Sequence, residues 1–408
     1  MAKKNPLLIG LDIGTYKIGV VVAEVSAQGA DIVGIGTAAS RGLRKGVVNN
    51  MDRTVEAIRK AVEEAELMAA CEVRTVIAGS AGSHIKGFNS HGVVAVRTRE
   101  VAQGDVERVI DAARAVALPT DQEVLHVLPQ EFVVDEQDGI KEPVGMAGVR
   151  LEARVHIVTG AVSAGQNLIK CCNRAGLHVA DVLAGPLAAA EAVLTPEERE
   201  LGVALIDLGG GTTDVVVYHA GAIRHTAVLP VGGSHVTNDI AAALCTPPAE
   251  AEHVKQRHGS AVAAVTPHDQ TIEVPGLGGR PPHQLSRRAL AEVIEPRVEE
   301  MLTMARREIE RAGCGPALVS GVVLTGGGAV LDHTTTLAER VFRRPVRIGV
   351  PLHLNGLVDV VASPMYSTAV GLVLHGLNQG THGRRGEGVL GQLGVVRERM
   401  MGWLREFF

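Results

Sequence analysis

An apolar, β-branched run that closes on an aspartate and then on glycine occurs twice in this chain, and the repetition constrains the fold more than any other feature. The first copy runs through 7–12, turns at Gly14-Thr15-Tyr16-Lys17 and continues through 18–25, a pattern that predicts two strands joined as a hairpin. The second runs through 203–207, turns over Leu208-Gly209-Gly210-Gly211-Thr212-Thr213-Asp214 and continues through 215–218. Consecutive glycines weaken a merely structural hairpin, but they let backbone N–H groups approach an anion with no Cβ in the way. Taken alone, the first turn reads equally well as a hairpin with a capping aspartate. Two such turns facing each other would clamp a β,γ-phosphate and a hydrated Mg²⁺ between Asp12 and Asp207, because Mg²⁺ keeps waters and takes few protein ligands. A third strand, 322–325, also ends in glycines, Gly326-Gly327-Gly328, and leads toward a helix whose N-terminus would favour a ribose or phosphate. Three turns of this kind, in this order, favour a nucleotide clamp over three helix caps.

The rest of the chain is consistent with a cored, multidomain protein: 408 residues, 46% hydrophobic and 21% charged, with a net charge of −5 that does not suit a polyanion binder. Five Phe, three Tyr and one Trp stand against 48 Gly, so cores must be built from aliphatic residues at close backbone approach. So few aromatics argue against base stacking, and no nucleic-acid partner is expected. Five cysteines without C-x-x-C spacing point to reduced thiols in the cytoplasm and to no zinc site. The start, 1–6, lacks signal-peptide architecture, and the uncharged stretch 360–374 is broken by Ser363, Pro364 and Ser367, short of the roughly 20 residues that span a bilayer.

Periodicity predicts a helix over 53–68, with Val55, Ile58, Val62, Ala65 and Leu67 at approximately helical spacing and Asp52 as its cap, then a strand over 75–78. Residues 92–159 read as a small α+β insertion: strand 93–96, helix 105–116, strand 124–134, a Gly/Pro loop and strand 149–158. Helices are expected over 249–257 and 285–311, the second kinked or broken at Pro296. His84, His126 and His156 lack metal-ligand spacing and are expected on the surface or satisfied in the core. Residues 378–394 form a Gly-rich linker before a distinct tail. In that tail Val396, Met400, Met401, Trp403, Leu404, Phe407 and Phe408 share one helical arc, with Glu398, Arg399, Arg405 and Glu406 opposite and Arg397 able to snorkel. This is the composition of an interfacial membrane anchor, against the plainer alternative of a helix packed on the body.

The order D-x-G-T, D-x-G-G-G-T-T-D, T-G-G-G-A resembles the superfamily of actin, sugar-kinase and heat-shock-chaperone ATPases. Within it the chain resembles, over essentially its full length, the FtsA family of bacterial cell-division proteins. The marks are Arg41-Gly42-Leu43-Arg44-Lys45-Gly46, the run from Pro143-Val144-Gly145-Met146 through Leu151-Glu152, His156-Ile157-Val158, and Leu290-Ala291-Glu292-Val293-Ile294-Glu295-Pro296-Arg297. The resemblance implies an α/β, actin-like two-lobed fold with duplicated β-hairpin/sheet–helix domains. Lobe I would comprise 1–84 and 160–198, interrupted by an FtsA-type insertion subdomain at 85–159. Lobe II would comprise 199–245 and 312–377 with a small subdomain at 246–311, followed by the linker 378–394 and a C-terminal amphipathic membrane-targeting helix at 395–408.

It further implies ATP and Mg²⁺ as ligands. Gly14, Thr15, Tyr16 and Lys17 would form the first phosphate loop and Gly209, Gly210, Gly211, Thr212 and Thr213 the second. Gly326, Gly327 and Gly328 would form the adenosine motif, with Glu252 and Lys255 bordering it. Hydrolysis, slow at most, would use Asp12, Asp207 and a water-orienting Gln166 or Asn167. Implied partners are the C-terminal tail of the tubulin-like protein FtsZ, other copies of the chain in a filament, membrane lipids and later division proteins, at the cytoplasmic face of the septal membrane. Arg287, Arg288 and Arg297 are the conspicuous charges for the FtsZ contact, against the plain alternative of a solvated basic face. Two competing functions share the superfamily. A small-molecule kinase would need a general base that no residue beside the glycines supplies, and a pilus-assembly adaptor is disfavoured by the run through Met146 and Leu151 and by the tail.

Overall fold

The computed structural model describes residues 6–26, 29–352 and 354–382. The tail residues Val396, Met400, Trp403, Leu404, Phe407 and Phe408, with most of the expected linker, lie outside the described residues. The chain opens with a meander, β1 (Leu7–Ile13), β2 (Lys17–Ser26) and β3 (Gly29–Ala39), followed by the short hairpin β4 (Leu43–Arg44) and β5 (Val47–Val48). Helix α1 (Met51–Ala69) and β6 (Thr75–Ser80) complete the first half of lobe I. The insertion comprises β7 (Lys86–Ala95), α2 (Gln103–Arg114), β8 (Gln122–Val134), β9 (Gln137–Ile140) and β10 (Arg150–Ala161), in a sheet ordered β7-β10-β8-β9. Helix α3 (Val162–Arg174) and β11 (His178–Ala184) return to lobe I, and α4 (Gly185–Val193) and α5 (Pro196–Leu201) lead out of it.

Lobe II repeats the plan with β12 (Val203–Leu208), β13 (Thr213–His219) and β14 (Ala222–Leu229). Its helical layer is α6 (Gly233–Ala243), α7 (Pro248–His258) and α8 (Arg287–Arg311), with the hairpin β15 (Thr271–Val274) and β16 (His283–Ser286) between the last two. Strand β17 (Val322–Thr325), helix α9 (Thr334–Phe342) and β18 (Val346–Ile348) finish its sheet, and β19 (Asn355–Gly356), α10 (Val358–Val361) and α11 (Ser367–His382) follow. The sheets are ordered β11-β6-β1-β2-β3-β19 and β14-β13-β12-β17-β18. In each, an antiparallel meander is flanked by a parallel strand: β6 sets Gly79 beside Asp12, and β17 sets Thr325 beside Asp207. Both aspartates therefore sit at the same topological point, at the end of a strand buried among apolar neighbours.

Three expectations are corrected. Helix α1 begins two residues early, so its cap is Asn50, in extended conformation and accepting from Arg53 N–H, while Asp52 stands in the first turn and pairs with Arg174 at 2.6 Å. Helix α8 continues through Pro296 without a break, its missing rung lying on an exposed face. Lobe II does not extend to residue 377, because β19 pairs with β3 and α11 packs on β1 and α4 in lobe I. Helix α11 also reaches five residues into the expected linker. Periodicity shows that a segment is an amphipathic helix but not which sheet it covers.

The insertion packs against β14 through a buried polar seam. Gln130 Nε2 donates to Ile223 O at 2.6 Å, Asn89 Nδ2 to Arg224 O at 3.2 Å, and the His156 ring bridges Asn89 Oδ1 at 2.7 Å and Thr226 Oγ1 at 2.9 Å. Burial lowers the His156 pKa to about 4, so the ring is neutral. His126 is likewise satisfied in the core, its Nε2 accepting from Ala184 N–H at 3.1 Å.

Close backbone approach seats α11. A Cβ on Gly371 would collide with Ala188 O of α4, and one on Gly10 of β1 with Ala369 O. Gly371→Ala is expected to cost about 1–3 kcal/mol by overpacking, read from the urea midpoint; a loss below about 0.5 kcal/mol would show that the helices separate freely.

Candidate functional site

The turns at the ends of β1 and β12 meet across one cavity of about 870 Å³ between the lobes. Gly14 N donates to Lys17 O at 3.1 Å, closing the first turn. The second is held from behind by the β14–α6 connection: Gly233 N donates to Gly209 O at 2.9 Å, Ser234 N to Gly210 O at 2.8 Å, and Thr213 Oγ1 to Val231 O at 2.9 Å. The two turns touch. A Cβ on Gly210 would lie 2.7 Å from Tyr16 Cβ, and one on Gly211 would press on the Thr15 side chain. Tyr16 OH accepts from Gln256 Nε2 of α7 at 2.9 Å, a hydrogen bond that crosses the cleft. Gly326, at φ +81°, and Gly328 lie against Asp207 and Leu208, leaving no room for side chains between the second and third turns.

Asp12, Asp207 and Asp214 line the cavity together with Lys17. Burial raises the Asp12 pKa to about 6, although the nearby Lys17 charge opposes the shift. Burial, reinforced by neighbouring carboxylates, raises Asp207 to about 7 and Asp214 to about 8. Lys17 Nζ is buried without a hydrogen-bond partner, 3.9 Å from the Tyr366 ring centroid, and burial pulls its pKa down. Asp214 Oδ1 also lacks a partner. A phosphate satisfies Lys17 and a hydrated cation suits the acids, so the residues present fit a magnesium nucleotide. Among the described residues no group of three His, Cys, Asp or Glu side chains could hold a metal by itself. A cation here would depend on water and phosphate for most of its ligands.

Glu252 and Lys255 both reach the cavity on α7, as their spacing predicts. Lys255 is not a free cation: its Nζ donates to Glu252 Oε2 at 2.7 Å, Thr237 Oγ1 at 2.9 Å and Gly233 O at 3.1 Å, tying α7 to the support of the second turn. Gln166 and Asn167, on α3, do not line the cavity. Helix α4 does reach the cavity, through Gly185; its first turn contains Gly185 and Pro186 and no carboxylate. The arginines on α8 have partners within the chain. Arg287 pairs with Asp332 and donates to His258 O at 2.9 Å, and Arg297 pairs with Asp239 at 2.6 Å and with Glu300. Arg288 alone of the three is exposed, 3.5 Å from Glu292. Sequence reasoning does not single out Ser40, Arg41, Gly185, Asp214 or the Gly232–Ser234 support, all of which line or back the cavity; the glycine pair at 232–233 was the available signal.

The raised carboxylates predict a pH dependence. An acid whose pKa rises on folding binds more protons in the native state, so its stability contribution falls as pH climbs from the unfolded value, 3.8, through the folded one. For the nucleotide-free protein, Asp214→Asn is expected to raise Tm more at about pH 8 than at about pH 5. Equal gains in calorimetric scans at the two pH values would contradict this electrostatic account.

Comparison with known proteins agrees with this geometry. Residues 204–371 match the family model described as cell division protein FtsA, and 82–159 match the SHS2 domain inserted in FtsA. The chain is 52% identical to the cell division protein FtsA of Pseudomonas aeruginosa over 382 residues, 93% of this chain and 92% of that one. It is 43% identical to that of Escherichia coli K12 over 417 residues, 100% and 99% of the two chains. Similar solved structures include the PilM–PilN type IV pilus biogenesis complex, with a TM-score of 0.65 at 17% identity over 91% of this chain and 98% of that one. Another is MreB 5 of Spiroplasma citri bound to AMPPNP, with a TM-score of 0.56 at 14% identity over 94% and 100%. A shared actin-like fold, an inserted SHS2 domain and relatives this similar along nearly the whole chain show that it belongs to the FtsA family of cell-division proteins.

Proposed function

We propose that this chain binds ATP with Mg²⁺ between its lobes, assembles into filaments, and tethers the FtsZ ring to the cytoplasmic face of the membrane at the division septum, where it helps recruit later division proteins. The observation that carries the nucleotide reading is the pair of glycine turns in contact across the cavity, with an unpartnered lysine ammonium beneath them. Gly14, Thr15, Tyr16, Lys17 and Gly209, Gly210, Gly211, Thr212, Thr213 hold phosphates; Gly326, Gly327, Gly328, Glu252 and Lys255 border the nucleoside; Asp12 and Asp207 hold the cation through water. The absence of a glutamine or glutamate at the start of α4 favours ATP as a retained ligand with slow turnover. Gly210→Val would force Tyr16 away and fill the phosphate space. Calorimetry is expected to show ATP affinity reduced at least about 30-fold, roughly 2 kcal/mol, in a folded variant; unchanged affinity would refute the loop's role.

The tether needs a surface for FtsZ and one for lipid. Residues 246–311, with exposed Arg288, supply the first, and 85–159 contributes to self-association through an open head-to-tail contact. The tail supplies the second. Its arginines and glutamates nearly cancel, so apolar burial at about 1.5–3 kcal/mol per large side chain dominates. A labelled FtsZ tail peptide is expected to pellet with liposomes only when the full chain is present. Trp403→Glu combined with Phe407→Glu is expected to abolish pelleting while peptide and ATP binding in solution remain. Continued pelleting of the double variant would refute the anchor, and failure of the wild type to capture the peptide would refute the FtsZ contact.

A further inference from the structure

The basic run Arg41-Gly42-Leu43-Arg44-Lys45-Gly46 has no place in the site as described so far, yet both its ends are fastened to the first phosphate turn. Ser40 N donates to Tyr16 O at 2.9 Å, and Gly46 N donates to Thr15 Oγ1 at 2.8 Å. The middle is pinned to the start of α1: Gly42 O accepts from Asn49 N at 2.9 Å and Asn50 N at 3.1 Å, and Gly42 has no room for a side chain beside Thr54. Lys45 at φ +51° and Gly46 at φ +79° take left-handed conformations that turn the chain back toward Thr15. The loop is therefore a strap over the first turn.

Its first residue reaches the cavity. Arg41 is exposed yet lines the space between the lobes, whereas Arg44 and Lys45 do not. Among the described residues Arg41 makes no ion pair; Glu56, the acid that feels its charge, is bonded to Lys60 at 2.7 Å. Beside it in the same cavity, Ser40 Oγ is buried without a hydrogen-bond partner. Thr15 Oγ1 uses an acceptor position for Gly46 N–H, leaving its own proton available to a phosphate oxygen. The cavity is thus lined by a guanidinium without an ion pair, an unpartnered hydroxyl and an unpartnered ammonium.

We propose that Arg41 is a second cationic contact for the terminal phosphate of the bound nucleotide, so that the strap 41–46 distinguishes a nucleoside triphosphate from a diphosphate. The proposal rests on the nucleotide reading above. A guanidinium grips two oxygens of one phosphate at once, and Arg41 belongs to the strap fastened to the turn read as the first phosphate loop. Because the strap hangs from Thr15 and Tyr16, engagement of Arg41 also fixes the turn that faces Gly210 and Gly211.

Calorimetry on the full chain with Mg²⁺, using AMPPNP and ADP as probes, tests this. Arg41→Gln is expected to weaken AMPPNP roughly tenfold or more while ADP stays within about twofold, as loss of a charged hydrogen-bonding contact predicts. Arg41→Lys should recover part of the loss, and Arg44→Gln, the same charge change on the same loop away from the cavity, should leave both affinities unchanged. Equal weakening of both nucleotides, no change in either, or an equal loss in Arg44→Gln would overturn the role of Arg41 while leaving the nucleotide site standing. Wild-type protein that binds neither nucleotide would overturn the site and Arg41's role together.

Discussion

Asp12, Asp207 and Asp214 are buried around one ammonium, and much of the cleft is organised by that imbalance. A carboxylate in a poorly solvated space either holds a proton or finds a cation. Here the three acids are driven toward neutrality, with pKa values raised to about 6, 7 and 8. The duplicated topology brings two of them together, since β1 and β12 end at equivalent points of their sheets and face each other. Around them the chain supplies backbone in place of side chains: Gly210, Gly211, Gly326 and Gly328 let three turns converge where a Cβ would collide. A dication with its phosphate partners would neutralise such a site, so on the proposed reading ligand binding would stabilise the folded cleft.

What was legible in the sequence follows from which signals are local. Apolar, β-branched runs ending in glycine marked both hairpins and brought Gly14, Gly210 and Gly327 to one cavity, and a short-range pattern also outlined the insertion. Long-range facts were hidden. Arg287 and Arg297 looked like free surface charge because their partners, Asp332 and Asp239, lie 45 and 58 residues away. Gln166 and Asn167 have the amide side chains a water-orienting role calls for, whereas α4 begins with the inconspicuous Gly185-Pro186 and reaches the cleft by packing alone. Asn50 and Asp52 are both good caps, and only the register of the first turn selects Asn50. Helix α11 reads as an apolar segment, but its assignment to lobe I rests on Gly371 meeting Ala188, a contact no window along the chain contains.

The seam between the insertion and β14 joins parts of the molecule that are remote in sequence. Asn89, Gln130 and His156 come from the insertion, and Ile223, Arg224 and Thr226 from lobe II. Because β14 leads directly into Gly232 and Gly233, which back the second glycine turn, that turn and the seam are joined by one strand. A buried, satisfied polar network tolerates few alternative arrangements, so it passes displacement on more faithfully than an apolar contact that can slide.

Helix α11 has a mechanical consequence. Its N-terminal end lies beside the cleft, where Thr368 Oγ1 is 3.4 Å from Asp207, and its flank rests on β1 and α4 by backbone contact at Gly10, Ala188 and Gly371. Any pull on the chain beyond His382 is therefore loaded along the helix axis as shear against the strand that carries Asp12 and the helix that begins at Gly185. Close backbone packing is stiff under shear, so traction at the C-terminus would reach the walls of the cleft instead of being absorbed at the surface.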